Sequence, residues 1–257
     1  MGADDLMFIK NRVGEFERDI CAILSRLAHH MHPKIIEKIQ LKNAEEYEYF
    51  EELFGNKIEL GHYLFDGSAC VFPGVRRYVS GQGRQKAYNI EYRAIIDDNT
   101  FPRHIWCFLE NGKTYNGPSW KATGLNQFEL AHIFTHKESE VEFEKPFFSK
   151  MDESLTPYGE FSCASNVILL PKGTVRPTDN SKPIKAAFYQ RYINLYGDVP
   201  LGGRSGFHAR LVPNWFAELE WNDPVLPNDW ETKIEKLLKY RTKRITEIMQ
   251  RHVLDEN

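Results

Sequence analysis

Two short apolar runs in the second half of the chain carry polar residues where a hydrolytic site needs them: Leu130-Ala131-His132-Ile133-Phe134 and Ser165-Asn166-Val167-Ile168-Leu169-Leu170-Pro171. A histidine ending one strand, an asparagine opening its partner, and polar groups entering a helix are the parts of a one-metal nuclease centre. Imidazole suits such a centre because it titrates near neutral pH and can take a proton from water. A plain hairpin in a core is the competing reading of the same residues. Lys172 follows the second run, Arg176 comes four residues later, and Thr178-Asp179-Asn180-Ser181-Lys182-Pro183 leads into the next apolar pattern.

Other elements have to hold these parts in place. Residues 5–54 read as helices, because Phe8, Val13, Phe16, Ile20, Ile23, Leu24 and Leu27 recur at three- and four-residue steps. His29-His30-Met31-His32-Pro33 interrupts the pattern, since proline disfavours helix in the residue before it. From residue 57 to about 110 short β-like runs are expected, among them Ala69-Cys70-Val71-Phe72, residues 88–96 and His104-Ile105-Trp106-Cys107-Phe108-Leu109, separated by turn-forming clusters. Between them lies a basic, glycine-bearing loop with Arg76, Arg77, Tyr78, Arg84 and Lys86. Residues 114–121 read as a polar aromatic loop, and the acidic residues 138–144 as an exposed connection. Helical periodicity returns over residues 183–196. Arg204 sits in a second glycine-rich basic loop, and a last helix is expected from about Asp229, with Asn228 or Asp229 as its cap.

Composition limits the function classes. The chain of 257 residues can bury a core without staples, and 42% hydrophobic with 27% charged content fits a folded globular protein. Cys21, Cys70, Cys107 and Cys163 are scattered with no C-x-x-C pair, which argues against a zinc ribbon and a disulfide framework. A reducing, cytoplasmic setting is expected. The first residues carry acids where a secretory signal needs a basic start, no transmembrane run exists, and Leu6 stands where a myristoylation motif needs Ser or Thr. A net charge of -3 does not describe a nonspecific polyanion binder, so a nucleic-acid ligand needs a local basic surface.

Residues 125–196 resemble the His-Asn-His (HNH, or ββα-metal) endonucleases, which include many restriction and phage-defence nucleases. That pattern is a strand carrying x-His-Ile, a second strand introduced by Asn before an apolar Leu-Leu run, and a helix whose first residues supply a metal ligand. Its counterparts here are Ala131-His132-Ile133, Asn166 through Lys172, and the turn ahead of Pro183. The resemblance implies that His132 activates water and that Asn166 orients the imidazole by hydrogen bonding. One divalent ion, Mg or Mn, would be held by oxygen donors and would neutralise charge on the scissile phosphate. Asp179 or Asn180 would supply the final ligand, with His136 and Glu129 as further donors; Asp179-Asn180 could equally cap the helix. Lys172 and Arg176 would grip backbone phosphates, and Arg76, Arg77 and Arg204 are further phosphate contacts. Where many family members carry Asp or His before the base, this chain has Ala131, and the family's zinc-binding cysteine pairs are missing.

The resulting expectation is an α+β protein with N-terminal helices, a central β-rich region, an embedded ββα unit and a closing helix. Residues 1–124 would recognise the target or partner, and residues 125–257 would form the nuclease region. Its function would be metal-dependent cleavage of DNA, with RNA not excluded, in restriction or anti-phage defence, and a homodimer is compatible with that role. A binding subunit that keeps the ββα shell without the metal is the rival, and an adaptor using the acidic residues 45–52 and the terminal basic helix is the third class.

Overall fold

The computed structural model describes residues 3–55, 67–73, 75–77, 88–89, 94–97, 100–135, 140–151, 160–197 and 204–255. Three helices open the chain, α1 (Ala3–Leu27), α2 (Pro33–Glu45) and α3 (Tyr47–Phe54). Proline ends the first pattern and starts the second: Pro33 occupies the first turn of α2, and the Nδ1 of His32 caps it by accepting the N–H of Lys34 at 3.1 Å. Strands β1 (Val75–Arg77), β2 (Tyr88–Asn89) and β3 (Ala94–Asp97) form a sheet in the order β1-β3-β2, parallel on one side and antiparallel on the other.

Next come α4 (Thr100–Asn111), α5 (Gly117–Ala122), β4 (Phe128–His132), α6 (Val141–Glu144), β5 (Phe148–Lys150), β6 (Val167–Pro171), α7 (Arg176–Asn180), α8 (Lys182–Tyr196), β7 (Ser205–Phe207) and α9 (Trp230–Asp255). The class is α+β. No helix among the described residues is long and apolar enough to cross a membrane.

The site is framed by β4 and β6, which pair antiparallel from Phe128 opposite Pro171 to His132 opposite Val167. The run of Val167, Ile168, Leu169 and Leu170 is buried on both faces, which is why it lacks polar alternation. Its other edge is covered as well, because His29 and Leu169 exchange backbone hydrogen bonds of 2.9 and 3.1 Å. The histidine-rich break between α1 and α2 is therefore a strand-like strap across β6. After β6 come α7 and α8, the latter capped by the Ser181 hydroxyl and stopped at Gly197, where φ is +61°; Tyr189 of α8 stacks on Phe134, just past the end of β4. One cluster of buried side chains runs from Cys21 to Met249, across the boundary expected at residue 124.

Three expectations change. The run His104 to Leu109 is helical, not extended, since it belongs to α4. Six consecutive apolar or aromatic residues satisfy either period; the stop at Gly112, whose N–H closes on the Phe108 carbonyl at 2.8 Å with φ of +67°, settles it as helix. Residues 117–122 form α5 instead of loop, because the Asn116 carboxamide caps a first turn by accepting the Ser119 N–H at 2.7 Å. The acidic stretch is not simply an exposed connection: Glu144, at the end of α6, is 1% exposed. Of that stretch, residues 138 and 139 lie outside the described residues, as do Tyr78, Arg84 and Lys86 of the basic loop.

Candidate active site

A cleft of about 670 Å³ opens along β4, and Arg103, Tyr115, Trp120, Lys172, Asp179 and Lys185 are among the residues that line it. His132, the last residue of β4, lines it too. The ring lies flat on Phe161, with centroids 5.3 Å apart and planes 17° apart, and its Nε2 is 2.9 Å from the Phe161 carbonyl oxygen. A carbonyl can only accept, so Nε2 carries the hydrogen and the neutral ring has its lone pair on Nδ1. A general base needs one ring nitrogen anchored in this way.

The anchor is not the one expected. Asn166 does not orient the imidazole: it is fully buried, and its carboxamide is spent on the chain that leaves β4. Its Oδ1 accepts the Phe134 N–H at 2.7 Å, while Nδ2 donates to the carbonyls of Phe134 at 3.2 Å and Glu160 at 3.3 Å. Its own carbonyl accepts the Ile133 N–H at 3.0 Å. Asn166 thus grips both the residue two places after His132 and the peptide just before Phe161. Through the Glu160–Phe161 peptide it steadies the carbonyl that holds the ring, an arrangement its sequence position does not distinguish from direct contact.

Of the other expected residues, Lys172 and Asp179 join His132 in the cleft, both exposed. Asn180 is exposed at the end of α7 and does not line the cleft. His136 lies outside the described residues. Arg176 opens α7, with its side chain outside the description, and Arg76 and Arg77 are placed only as backbone of β1, opposite Ile96 and Asp97.

Arg204 requires a correction. It grips no surface anion, because its side chain is 3% exposed and lies between two buried acids. It donates to Glu144 at 2.8 to 2.9 Å, to Glu160, and to the Thr135 carbonyl at 2.7 Å. Glycines on either side in sequence suggested a loop open to solvent, but the matching carboxylates sit 60 and 44 residues away, beyond any local pattern.

Several cleft residues carry no sequence signal of this kind. Lys185 lines the cleft from the buried side of α8, 3.8 Å from Glu144, and burial lowers its pKa. Glu144 also accepts the Tyr189 hydroxyl at 2.7 Å and the Thr135 N–H at 2.6 Å. Burial pushes Glu160 up to about 8, against the pull of the arginine it touches; for Arg204, burial is outweighed by Glu160 and Glu144, which hold its charge firmly. Two acids and two bases therefore form a nearly dry quartet that reaches the cleft at Lys185. Glu140, whose carboxylate accepts the Thr135 hydroxyl at 2.8 Å, and Glu129 of β4 add oxygen donors to the lining. Glu129 is three residues from His132 on a strand, so the two leave opposite faces.

The donor chemistry fits a hard cation in a sparse mode. Carboxylates of Asp179, Glu140 and Glu129 line the cleft, yet among the described residues no three His, Cys, Asp or Glu gather closely enough to enclose an ion. An ion there would take one or two protein oxygens and fill its sphere with water and substrate phosphate, which is how magnesium is commonly held. Comparison with family models, with curated proteins and with solved structures finds no match to this chain.

Proposed function

We propose that this protein is a metal-dependent nuclease of the ββα-metal kind, cutting phosphodiester bonds of DNA in the cleft along β4. The observation that carries the reading is the His132 ring, hydrogen-bonded through Nε2 to the Phe161 carbonyl, in a cleft it shares with Asp179 and Lys172. The antiparallel order of β4 and β6, followed in the chain by α7 and α8, supports it.

In this reading His132 Nδ1 takes the proton of the attacking water, and the Phe161 carbonyl steadies the imidazolium that results. Lys172 draws in the phosphate as a mobile point charge, and Asp179 is the carboxylate best placed in sequence to hold the ion. A bound magnesium or manganese would supply charge neutralisation at the scissile phosphate and the leaving oxygen. Trp120 adds an aromatic ring to the cleft lining, where an unstacked base could pack. Restriction or anti-phage defence is the biological setting that this chemistry and the family resemblance suggest.

Nicking of supercoiled plasmid by the purified protein in magnesium or manganese tests the proposal. His132→Ala should lower the cleavage rate by about 10²- to 10⁴-fold, the worth of a positioned general base, and EDTA should abolish cleavage. His132→Ala should also retain the wild-type circular dichroism spectrum. If the wild type retains DNA but cuts it with neither metal, the enzyme reading fails and the binding-only rival, favoured by Ala131 where a ligand is expected, takes its place.

A further inference from the structure

The first helix carries an apolar line that the rest of the molecule does not cover. Cys21, Leu24, Ser25 and Ala28 turn α1 toward β6 and α8 and are at most 2% exposed. Round the helix from them, Val13 is 50% exposed, Phe16 65%, Ile23 58% and Leu27 43%, with Ile20 partly covered between them. The steps 13, 16, 20, 23 and 27 alternate three and four, the heptad spacing of a coiled-coil seam, and in the sequence the spacing continues back through Ile9 and Leu6. A helix that only packed on its own body would not need this second stripe.

We propose that this seam is closed by α1 of a second copy of the chain, running antiparallel, with the twofold axis beside residues 14 and 15. Charge and shape both select that occupant. With the axis there, Val13 meets Phe16 of the second copy, and Arg12 faces Asp19 of the second copy twice over, once on each side of the axis. Arg12 and Asp19 are both exposed along one flank of the seam, each next to an acid or base of its own helix, Glu15 and Arg18. In a parallel pair Arg12 would instead face Glu17, whose carboxylate is already engaged by the Ser181 hydroxyl at 2.6 Å. Nothing between residues 11 and 19 is buried, whereas burial begins at Cys21. Antiparallel pairing thus lays each copy's projecting first half over the other's second half and keeps the two bodies at opposite ends.

Light-scattering mass across a dilution series of the full chain tests the pairing, independently of any nuclease activity. The wild type should be a dimer, and Phe16→Glu with Ile23→Glu a monomer whose circular dichroism remains that of the folded protein. Arg12→Glu alone and Asp19→Arg alone should each weaken the dimer by roughly tenfold, since each places two like-charged pairs across the axis. Together they should restore it, because the antiparallel contact is merely reversed. A wild type that stays monomeric at every concentration overturns the proposal. So does a dimer that ignores Asp19→Arg and remains weakened in the combined variant, the pattern of a parallel seam.

Discussion

Acid should weaken this fold through two buried imidazoles, and the loss can be worked from their surroundings. His30 is wholly buried between Phe188 and Trp221, with no hydrogen-bond partner on either nitrogen among the described residues; burial, helped by nearby Arg191, lowers its pKa to about 3. His104 is 6% exposed, and burial lowers it to about 4. Its Nδ1 accepts the Tyr115 N–H at 2.8 Å, so adding a proton there breaks that bond. Both rings stay neutral in the folded chain while the unfolded chain protonates them below about 6.5. Their contribution is therefore constant above pH 6.5 and is lost as pH falls from there toward 4 and 3.

At pH 5 each imidazole costs about 2 kcal/mol, from 1.5 pH units at about 1.4 kcal/mol per unit, and the pair about 4 kcal/mol. That is a large part of a usual total of about 5–15 kcal/mol. Glu160 titrates in the opposite sense, because a carboxyl raised to about 8 favours the folded state as pH falls, so the wild-type curve alone is not diagnostic. The comparison with variants is. His104→Asn keeps an acceptor for the Tyr115 N–H without a titrating ring, and His30→Leu breaks no hydrogen bond. Melting curves at pH 7 and pH 5 should show the double variant gaining about 4 kcal/mol on the wild type between the two, roughly 10 °C in Tm. Parallel curves for wild type and double variant would refute the reasoning.

Two further substitutions probe the scaffold of the cleft. Asn166→Ala strands the N–H and carbonyl of Phe134 in a dry interior and should lower stability by about 3 kcal/mol or more in urea unfolding, and Asn166→Asp, which sets a carboxylate oxygen against the carbonyls of Phe134 and Glu160, should recover none of it. Arg241, fully buried, donates to Asn43 and Glu46 and fixes α9 to α2; Arg241→Ala should cost about 3 kcal/mol in urea unfolding, chiefly by stranding the buried Asn43 acceptor, because Glu46 keeps Lys42 at 3.4 Å.

The periodic helix over residues 183–196 was legible from the residues alone, but its cap was not: Ser181 caps α8, where the residues alone point to Asp179-Asn180. The pairing of β4 with β6 was legible too, since both runs are short, apolar and bounded by turn residues. The run ending at Leu109 was not, because an unbroken apolar stretch satisfies a helix and a strand equally. At the cleft, the sequence pointed to His132, Lys172 and Asp179. It could not separate a residue that touches the imidazole from one that holds the touching peptide, and so gave Asn166 the role of Phe161. Arg204 was read as a loop cation because the acids that bury it are brought there only by tertiary folding.

Sulfur placement has a practical consequence. All four thiols, on α1, α4 and the paired extended segments at Cys70 and Cys163, are 0% exposed, and burial pushes Cys21 and Cys107 up to about 12 and Cys163 up to about 11. Native protein should be silent to a maleimide, and any slow uptake would time the opening of its interior. A single cysteine introduced at the surface would then be the only addressable handle for a dye or spin label, with no need to strip the natural ones first.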